Sequence, residues 1–155
     1  MTLEPIRKTI TVHCGREHAF KVYTEGFDSW WPREHHLGDG ELAEAVMEGR
    51  EGGRWYERLT DGSECDWGRV LVWEPPGRVV LAWQIDGDWK ADPDPARASE
   101  IEVRFTAEGP GTTRVDVEHR AFERHGATAA KVRDGVNGEG GWNGLLKIFA
   151  AKVAS

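Results

Sequence analysis

Residues 65–85 read Cys-Asp-Trp-Gly-Arg-Val-Leu-Val-Trp-Glu-Pro-Pro-Gly-Arg-Val-Val-Leu-Ala-Trp-Gln-Ile. Two runs rich in β-branched and aromatic residues flank Pro75-Pro76-Gly77, so the stretch predicts two antiparallel strands joined by a tight turn. In the second run Val79, Leu81, Trp83 and Ile85 alternate onto one face, as a half-buried strand requires. The first run is less regular. Cys65, Trp67, Leu71 and Trp73 lie opposite Gly68, Val70 and Val72 in simple alternation, so both faces look apolar. Two explanations stay open: a bulge that shifts the register, or an outer apolar patch covered by a partner, the simplest being a second copy of the chain.

The same grammar extends outward. Strand-like segments at Ala43 to Glu48, Arg54 to Leu59, Ile101 to Glu108 and Thr113 to Ala121 are separated by Gly52-Gly53, Asp61-Gly62 and Gly109-Pro110-Gly111. Such short connections imply an antiparallel meander. Upstream, Ile6 to Cys14 alternates as a strand, Glu17 to Thr24 reads as a short helix, and Phe27 to Trp31 as a further helical turn before Pro32. The polar segment Arg33 to Glu41 and the Asp/Pro-rich insert Asp86 to Ala98 read as mobile loops. At the end the period changes: Trp142, Leu145, Leu146, Phe149 and Val153 form one stripe of an amphipathic helix. The fold class is therefore α+β: a curved antiparallel sheet of about seven strands, two short helices after the first strand, and a long C-terminal helix covering the apolar face.

Composition narrows the function. The chain has 155 residues, the size of one domain. Its 27 acidic against 20 basic residues give a net charge of −7, with no basic cluster, which argues against nucleic acid and anionic membrane partners. The longest unbroken apolar run, Val79 to Trp83, is far short of a membrane span. Met1 to Pro5 is neither basic nor apolar, so no signal peptide is read and a cytoplasmic location is expected. Cys14 and Cys65 read as reduced, mostly buried thiols. The eight tryptophans are the stronger signal, because rings used this often fill a thick core or line a cavity.

An ordered set of short motifs carries a resemblance. Gly52-Gly53-Arg54-Trp55, Asp61-Gly62, Trp67-Gly68-Arg69-Val70, Glu74-Pro75-Pro76-Gly77-Arg78 and Trp83 are followed by Ser99 to Phe105, Gly111-Thr112-Thr113, Val117-Glu118-His119 and Gly141-Trp142. From about Ile6 to the C-terminus the sequence resembles the homologues of the activator of heat-shock protein 90 ATPase, within the START-like or SRPBCC superfamily. The resemblance implies a helix-grip fold with a cavity between sheet and helix, a setting that serves carriers, polyketide cyclases and aromatases, and chaperone activators. The eukaryotic activators carry an additional N-terminal domain that contributes to chaperone stimulation. This sequence begins with the START-like domain, which ranks chaperone binding third among the readings.

No nucleotide-binding or hydrolase motif is present: G-x-x-x-x-G-K is missing, Ala43 replaces the last glycine after Gly38-Asp39-Gly40, and no serine lies in G-x-S-x-G. His35-His36 beside Glu34 and Asp39 lacks metal-ligand spacing and reads as a solvated loop. His119 shares a strand face with Val115 and Val117, which makes it a structural residue, a ligand contact or a weak candidate acid–base group. Trp31, Tyr56, Trp83, Phe105, Val117, His119, Trp142, Leu146 and Phe149 are the candidate cavity residues. Trp31 is expected to face the cavity and Trp30 to turn away, because Phe27 shares the face of Trp31. The leading expectation is a binding protein for a hydrophobic or aromatic small molecule, needing no cofactor and no metal. A cofactor-independent cyclase or aromatase is the alternative.

Overall fold

A computed structural model describes residues 3–154, with no side-chain description at 139 and 140. Part of the N-terminal stretch read for a signal peptide therefore lies outside the described residues. The elements are β1 (Ile6–Val12), α1 (Arg16–Tyr23), α2 (Phe27–Trp30), β2 (Leu42–Met47), β3 (Arg54–Leu59), β4 (Glu64–Glu74), β5 (Arg78–Trp83), β6 (Ser99–Gly109), β7 (Thr112–Arg120), α3 (Ala129–Asn137) and α4 (Gly144–Ala154). All seven strands form one antiparallel sheet in the order β1-β7-β6-β5-β4-β3-β2. Since β1 and β2 occupy opposite edges, the α1–α2 segment joining them must cross the sheet. With α4 it covers the concave face, which is the helix-grip arrangement. Among the described residues, no helix is long and apolar enough to cross a membrane.

The core follows from register. Val79, Val103 and Val117 stand side by side across β5, β6 and β7, and Leu81, Ile101 and His119 form the next row. Leu145, Leu146, Phe149 and Val153 of α4 are all buried in the same core cluster as these rows. Each large side chain so removed from water contributes about 1.5–3 kcal/mol. On the other face, charged side chains surround the apolar Val80 and Ala82. Glu102 accepts from Arg78 Nε at 2.6 Å, from Arg104 Nε at 2.7 Å and from Arg120 Nη1. Desolvation pushes its carboxyl up, but the bonds from Arg78 and Arg120 and the charge of Arg104 outweigh it and hold the pKa at about 2.

The ambiguous strand β4 contains two bulges. Trp55 of β3 pairs with Gly68 while Tyr56 pairs with Asp66, so Trp67 is an extra residue. Val70 pairs with Leu81 while Val72 pairs with Val80, so Leu71 is a second. Each insertion resets the alternation. Trp67, Val70 and Trp73 thereby come to the inner face at intervals of three residues, and only Leu71 of the apolar set is well exposed, at 39%. The doubled apolar pattern is thus accounted for within the chain. A Cβ on Gly68 would overlap the Ala82 carbonyl oxygen, so the first bulge needs glycine there.

The C-terminal segment is longer and more broken than its stripe suggested. After β7 a 3-10 segment over Phe122–Thr128 leads into α3, which buries Ala129, Val132 and Val136. A wide turn over Glu139–Asn143 then bends at Gly141, where a Cβ would overlap the carbonyl of Val136. The periodic reading started the helix at Trp142, but α4 begins at Gly144, and Trp142 sits buried in the turn before it. Glycines at 126, 135 and 138 hide α3 from a propensity argument. The cysteines also differ from expectation, since Cys14 and Cys65 are free but only half-buried.

Gly68→Ala is expected to lower the unfolding free energy by about 1–3 kcal/mol, the usual cost of overpacking. Urea denaturation followed by tryptophan fluorescence measures it.

Candidate functional site

Pro32 stops α2 and forces Trp31 into extended backbone. The Trp31 ring then stacks on Phe27 at 4.8 Å, lies 5.3 Å from Trp67, and donates its indole N–H to the His35 carbonyl at 2.7 Å. Trp30 turns the other way, with its N–H on the Val22 carbonyl at 3.1 Å and its ring against Tyr23 and Phe149. Both rings are buried, and Trp31 is the one that faces open space. That space is a cavity of about 400 Å³ walled by Trp31, Trp67, Trp83 and Trp89, with Ile85, Val136 and Leu145 between them. Glu34, His35, His36 and Leu37 form its polar side. Such a volume suits a small organic ligand, and the wall of rings with few polar groups suits an apolar, flat one.

Trp89 enters the site from the Asp86 to Ala98 insert, which is ordered rather than loose. Asp86 Oδ1 accepts the N–H groups of Asp88 and Lys90 at 2.8 and 3.1 Å, and Ile85 bridges Ala91. Gly87 N donates to Thr128 Oγ1 at 3.0 Å, and Lys131 reaches Asp88 at 3.3 Å, so the turn is fastened to the start of α3. Trp89 has φ +60°, a conformation that costs a non-glycine residue of order 1 kcal/mol or more. It leaves the indole 55% exposed above Gly135.

The Arg33 to Glu41 segment is also tied down. Arg33 makes a two-pronged ion pair with Asp28 at 2.6 and 2.9 Å. The fully buried Glu57 carboxylate accepts Leu37 N at 2.6 Å, Gly38 N at 2.9 Å and Trp67 Nε1 at 2.7 Å. The composition marks this loop as mobile, but one carboxylate inside the sheet holds its middle. Three N–H donors satisfy a buried charge that unpaired would cost several kcal/mol.

His119 belongs to a second buried network behind Trp83, whose ring centroid lies 5.6 Å from it. Trp142 Nε1 reaches His119 Nδ1 at 3.1 Å, His119 Nε2 meets Ser99 Oγ at 2.8 Å, and His125 Nε2 meets the same oxygen at 2.8 Å. An indole only donates, so His119 accepts at Nδ1 and carries its proton on Nε2 toward Ser99. The Ser99 hydroxyl hydrogen then goes to His125, whose proton sits on Nδ1, a buried atom with no partner among the described residues. Desolvation, reinforced by the neighbouring His125, lowers the His119 pKa well below its ordinary 6.5. Desolvation also lowers that of His125. Among the described residues, no three His, Cys, Asp or Glu side chains converge as metal ligands.

Of the residues named from sequence, Trp31 and Trp83 line the cavity. Phe105 packs on Phe20 and Tyr23, and Phe149 on Tyr23 and Trp30, in a part of the interior that side chains fill. Val117 and Leu146 are buried core residues, while His119 and Trp142 lie in the hydrogen-bonded network. Tyr56 lies on the opposite side of the sheet, its ring 4.0 Å from the Arg54 guanidinium and its hydroxyl accepting from Arg58 at 3.2 Å. Its neighbours Trp55 and Glu57 take the inward positions, as alternation dictates. Sequence reasoning passed over Trp67, Trp89 and the His36–Leu37 wall. The pairing of doubled apolar faces with Gly68 was the available signal for Trp67.

The chain belongs to the family described as activator of Hsp90 ATPase homolog 1-like protein, whose pattern matches residues 13–154. Among solved structures it is similar to an anthrahydroquino-γ-pyrone synthase, Txn09, at 41% identity over 97% of each chain, with a TM-score of 0.68. It is 35% identical to CalC, a self-sacrificing resistance protein from Micromonospora echinospora, over 96% of this chain and 93% of that one, with a TM-score of 0.70. CalU16 from the same organism, 20% identical over 97% of this chain and 76% of that one, has a TM-score of 0.58 and shows the fold alone. No curated protein matches the sequence.

The buried imidazoles set a pH dependence. Their folded pKa values lie below the unfolded value, so their stabilising contribution is complete above pH 6.5 and is lost as pH falls below it. Stability is expected to decline below that point by up to about 1.4 kcal/mol per pH unit for each imidazole. His125→Gln should flatten this slope in urea titrations between pH 7.5 and 5.5. The Glu102 contribution disappears in a separate window, as pH falls from 4.5 toward 2. Trp142→Ala is expected to cost about 3–5 kcal/mol in the same assay at pH 7.5.

Proposed function

We propose that this chain binds a planar, polycyclic aromatic small molecule in the cavity between Trp31, Trp67, Trp83 and Trp89. The observation that carries the reading is the cavity itself: four indoles from four separate segments face one space of about 400 Å³. Aromatic faces reward flat π-systems with both stacking and burial. The likeness to a synthase named for an anthrahydroquino-γ-pyrone, at 41% identity, supports a ligand of that chemical kind.

A second reading is cyclisation of such a molecule. It is favoured by the placement of Glu34, His35 and His36 along one side of an otherwise apolar cavity. Ring closure needs a shaped space and one acid–base group, and these side chains supply titratable atoms where a ligand would lie.

Alizarin, a dihydroxyanthraquinone, tests the reading. Titrated into the protein, it is expected to quench tryptophan fluorescence saturably with one site per chain. Trp89→Ala removes an exposed ring and should weaken binding about fivefold, equivalent to roughly 1 kcal/mol, without changing the melting temperature. Tyr56→Phe, on the far side of the sheet, should bind as the parent does. Quenching that never saturates, or that is the same in Trp89→Ala, would remove the cavity from consideration.

A further inference from the structure

Glu57 is a carboxylate at 0% exposure behind the polar side of the cavity, with two of its three donors on Oε1 and only Gly38 N on Oε2. His36 Nδ1 lies 3.8 Å from that oxygen. This nitrogen is buried and has no hydrogen-bond partner among the described residues, while the side chain as a whole is 17% exposed and forms part of the cavity wall. At that distance the contact is electrostatic and not a hydrogen bond; it favours the tautomer with the proton on Nδ1, which leaves Nε2, on the other side of the ring, as a base. His35 has no such orientation. Its ring packs edge-on against Trp31 at 5.9 Å, and it forms no ion pair with a carboxylate among the described residues.

The geometry points to His36 as the acid–base residue of the aromatic cavity, oriented by Glu57 as a positioning residue and acting on a phenolic hydroxyl of a hydroxylated polycyclic aromatic. The inference rests on the proposed aromatic cavity and deepens it. In the step assigned to His36, Nε2 takes the phenolic proton and the O–H electron pair stays on the oxygen. A phenolate and an imidazolium result, and Glu57 lies beside the new positive charge and stabilises it. Where the molecule carries a ketone carbon within reach, the phenolate oxygen forms a C–O bond to it and the carbonyl pair moves onto the carbonyl oxygen. That alkoxide takes the proton back from the imidazolium. The sum is an intramolecular hemiketal: no atom is gained or lost, nothing is oxidised or reduced, and His36 returns neutral.

The titratable groups around His36 are Glu34 and His35 on its own segment and Glu57 from β3; the cavity residues from β4, β5, α3 and α4 are uncharged. The step is read in the ionisation of bound alizarin, whose absorption moves to longer wavelength when the phenol becomes phenolate. Bound to the parent protein, the probe is expected to ionise at a pH at least about one unit lower than when bound to His36→Gln, a tenfold change in the equilibrium. Glu57→Gln should move the ionisation toward the His36→Gln value, read at saturating probe so that a change in affinity does not enter. If that variant melts early, Glu57→Asp serves in its place. Identical ionisation in the parent and His36→Gln, with saturable binding in both, would overturn the assignment and leave the aromatic cavity standing. A shift that follows His35→Gln instead would overturn it equally. No saturable quenching in the parent would overturn the cavity reading itself, and the assignment with it.

Discussion

One extra residue in β4 underlies most of what lies above it. Placing Trp67 and Gly68 together opposite Trp55 breaks the alternation of the strand and turns the Trp67 indole inward. From there it reaches Glu57 and supplies one of the three N–H groups that pair its buried carboxyl oxygens. Glu57 in turn gathers the backbone of Leu37 and Gly38, so the segment after Trp31 is drawn down as the polar wall of the cavity. Bulge, tryptophan, carboxylate and loop form a single dependent chain. The requirement for glycine at 68, where a side chain would overlap the β5 backbone, is its first link.

The interior is divided by what fills it. Toward β1 and α1, the rings of Phe20, Tyr23, Phe105 and Phe149 meet edge to face and leave no room. Toward β3 and α3, four indoles stand around open space. Between them runs the polar row from Trp142 through His119 and Ser99 to His125. Its hydrogen-bond directions are fixed by the indole at one end, and linked buried hydrogen bonds of this kind hold their members in place, with only His125 Nδ1 left without a partner among the described residues. Trp83 backs onto this row through His119, so one wall of the cavity rests on a stiff support.

How much of this could be read from the sequence depended on the range of the governing interaction. Period-2 patterns set the strands, and the inward positions of Val79, Leu81, Val103, Phe105, Val117 and His119 were legible residue by residue. So was the stripe Leu145, Leu146, Phe149 and Val153, and so was the facing of Trp31, because Phe27 fixes it locally. The bulges were legible as an ambiguity, since a doubled apolar pattern cannot say which insertion resolves it. What was hidden was any contact between distant segments. That Glu57 binds a loop twenty positions earlier is invisible to periodicity, because an inward Glu on a strand looks like a misplaced charge. Choosing cavity residues by ring size selected Phe105 and Phe149, whose space is filled, and Tyr56, which alternation places outside. It missed Trp89 because a tryptophan among Asp and Pro reads as loop.

Trp89 and Gly135 have a consequence for how this scaffold diversifies. The indole stands on a surface turn and the glycine on an outer helix, so neither contributes a row to the sheet's interior. The hydrogen bonds of Asp86 and Gly87 keep the turn in place whatever side chain it presents. The breadth of the opening is therefore written in two positions that can vary by mutation with little penalty to folding. The opposite wall, bound to the bulge and to Glu57, is locked. Substitutions at 89 and 135 would change the breadth of the opening and leave the recess behind it unchanged.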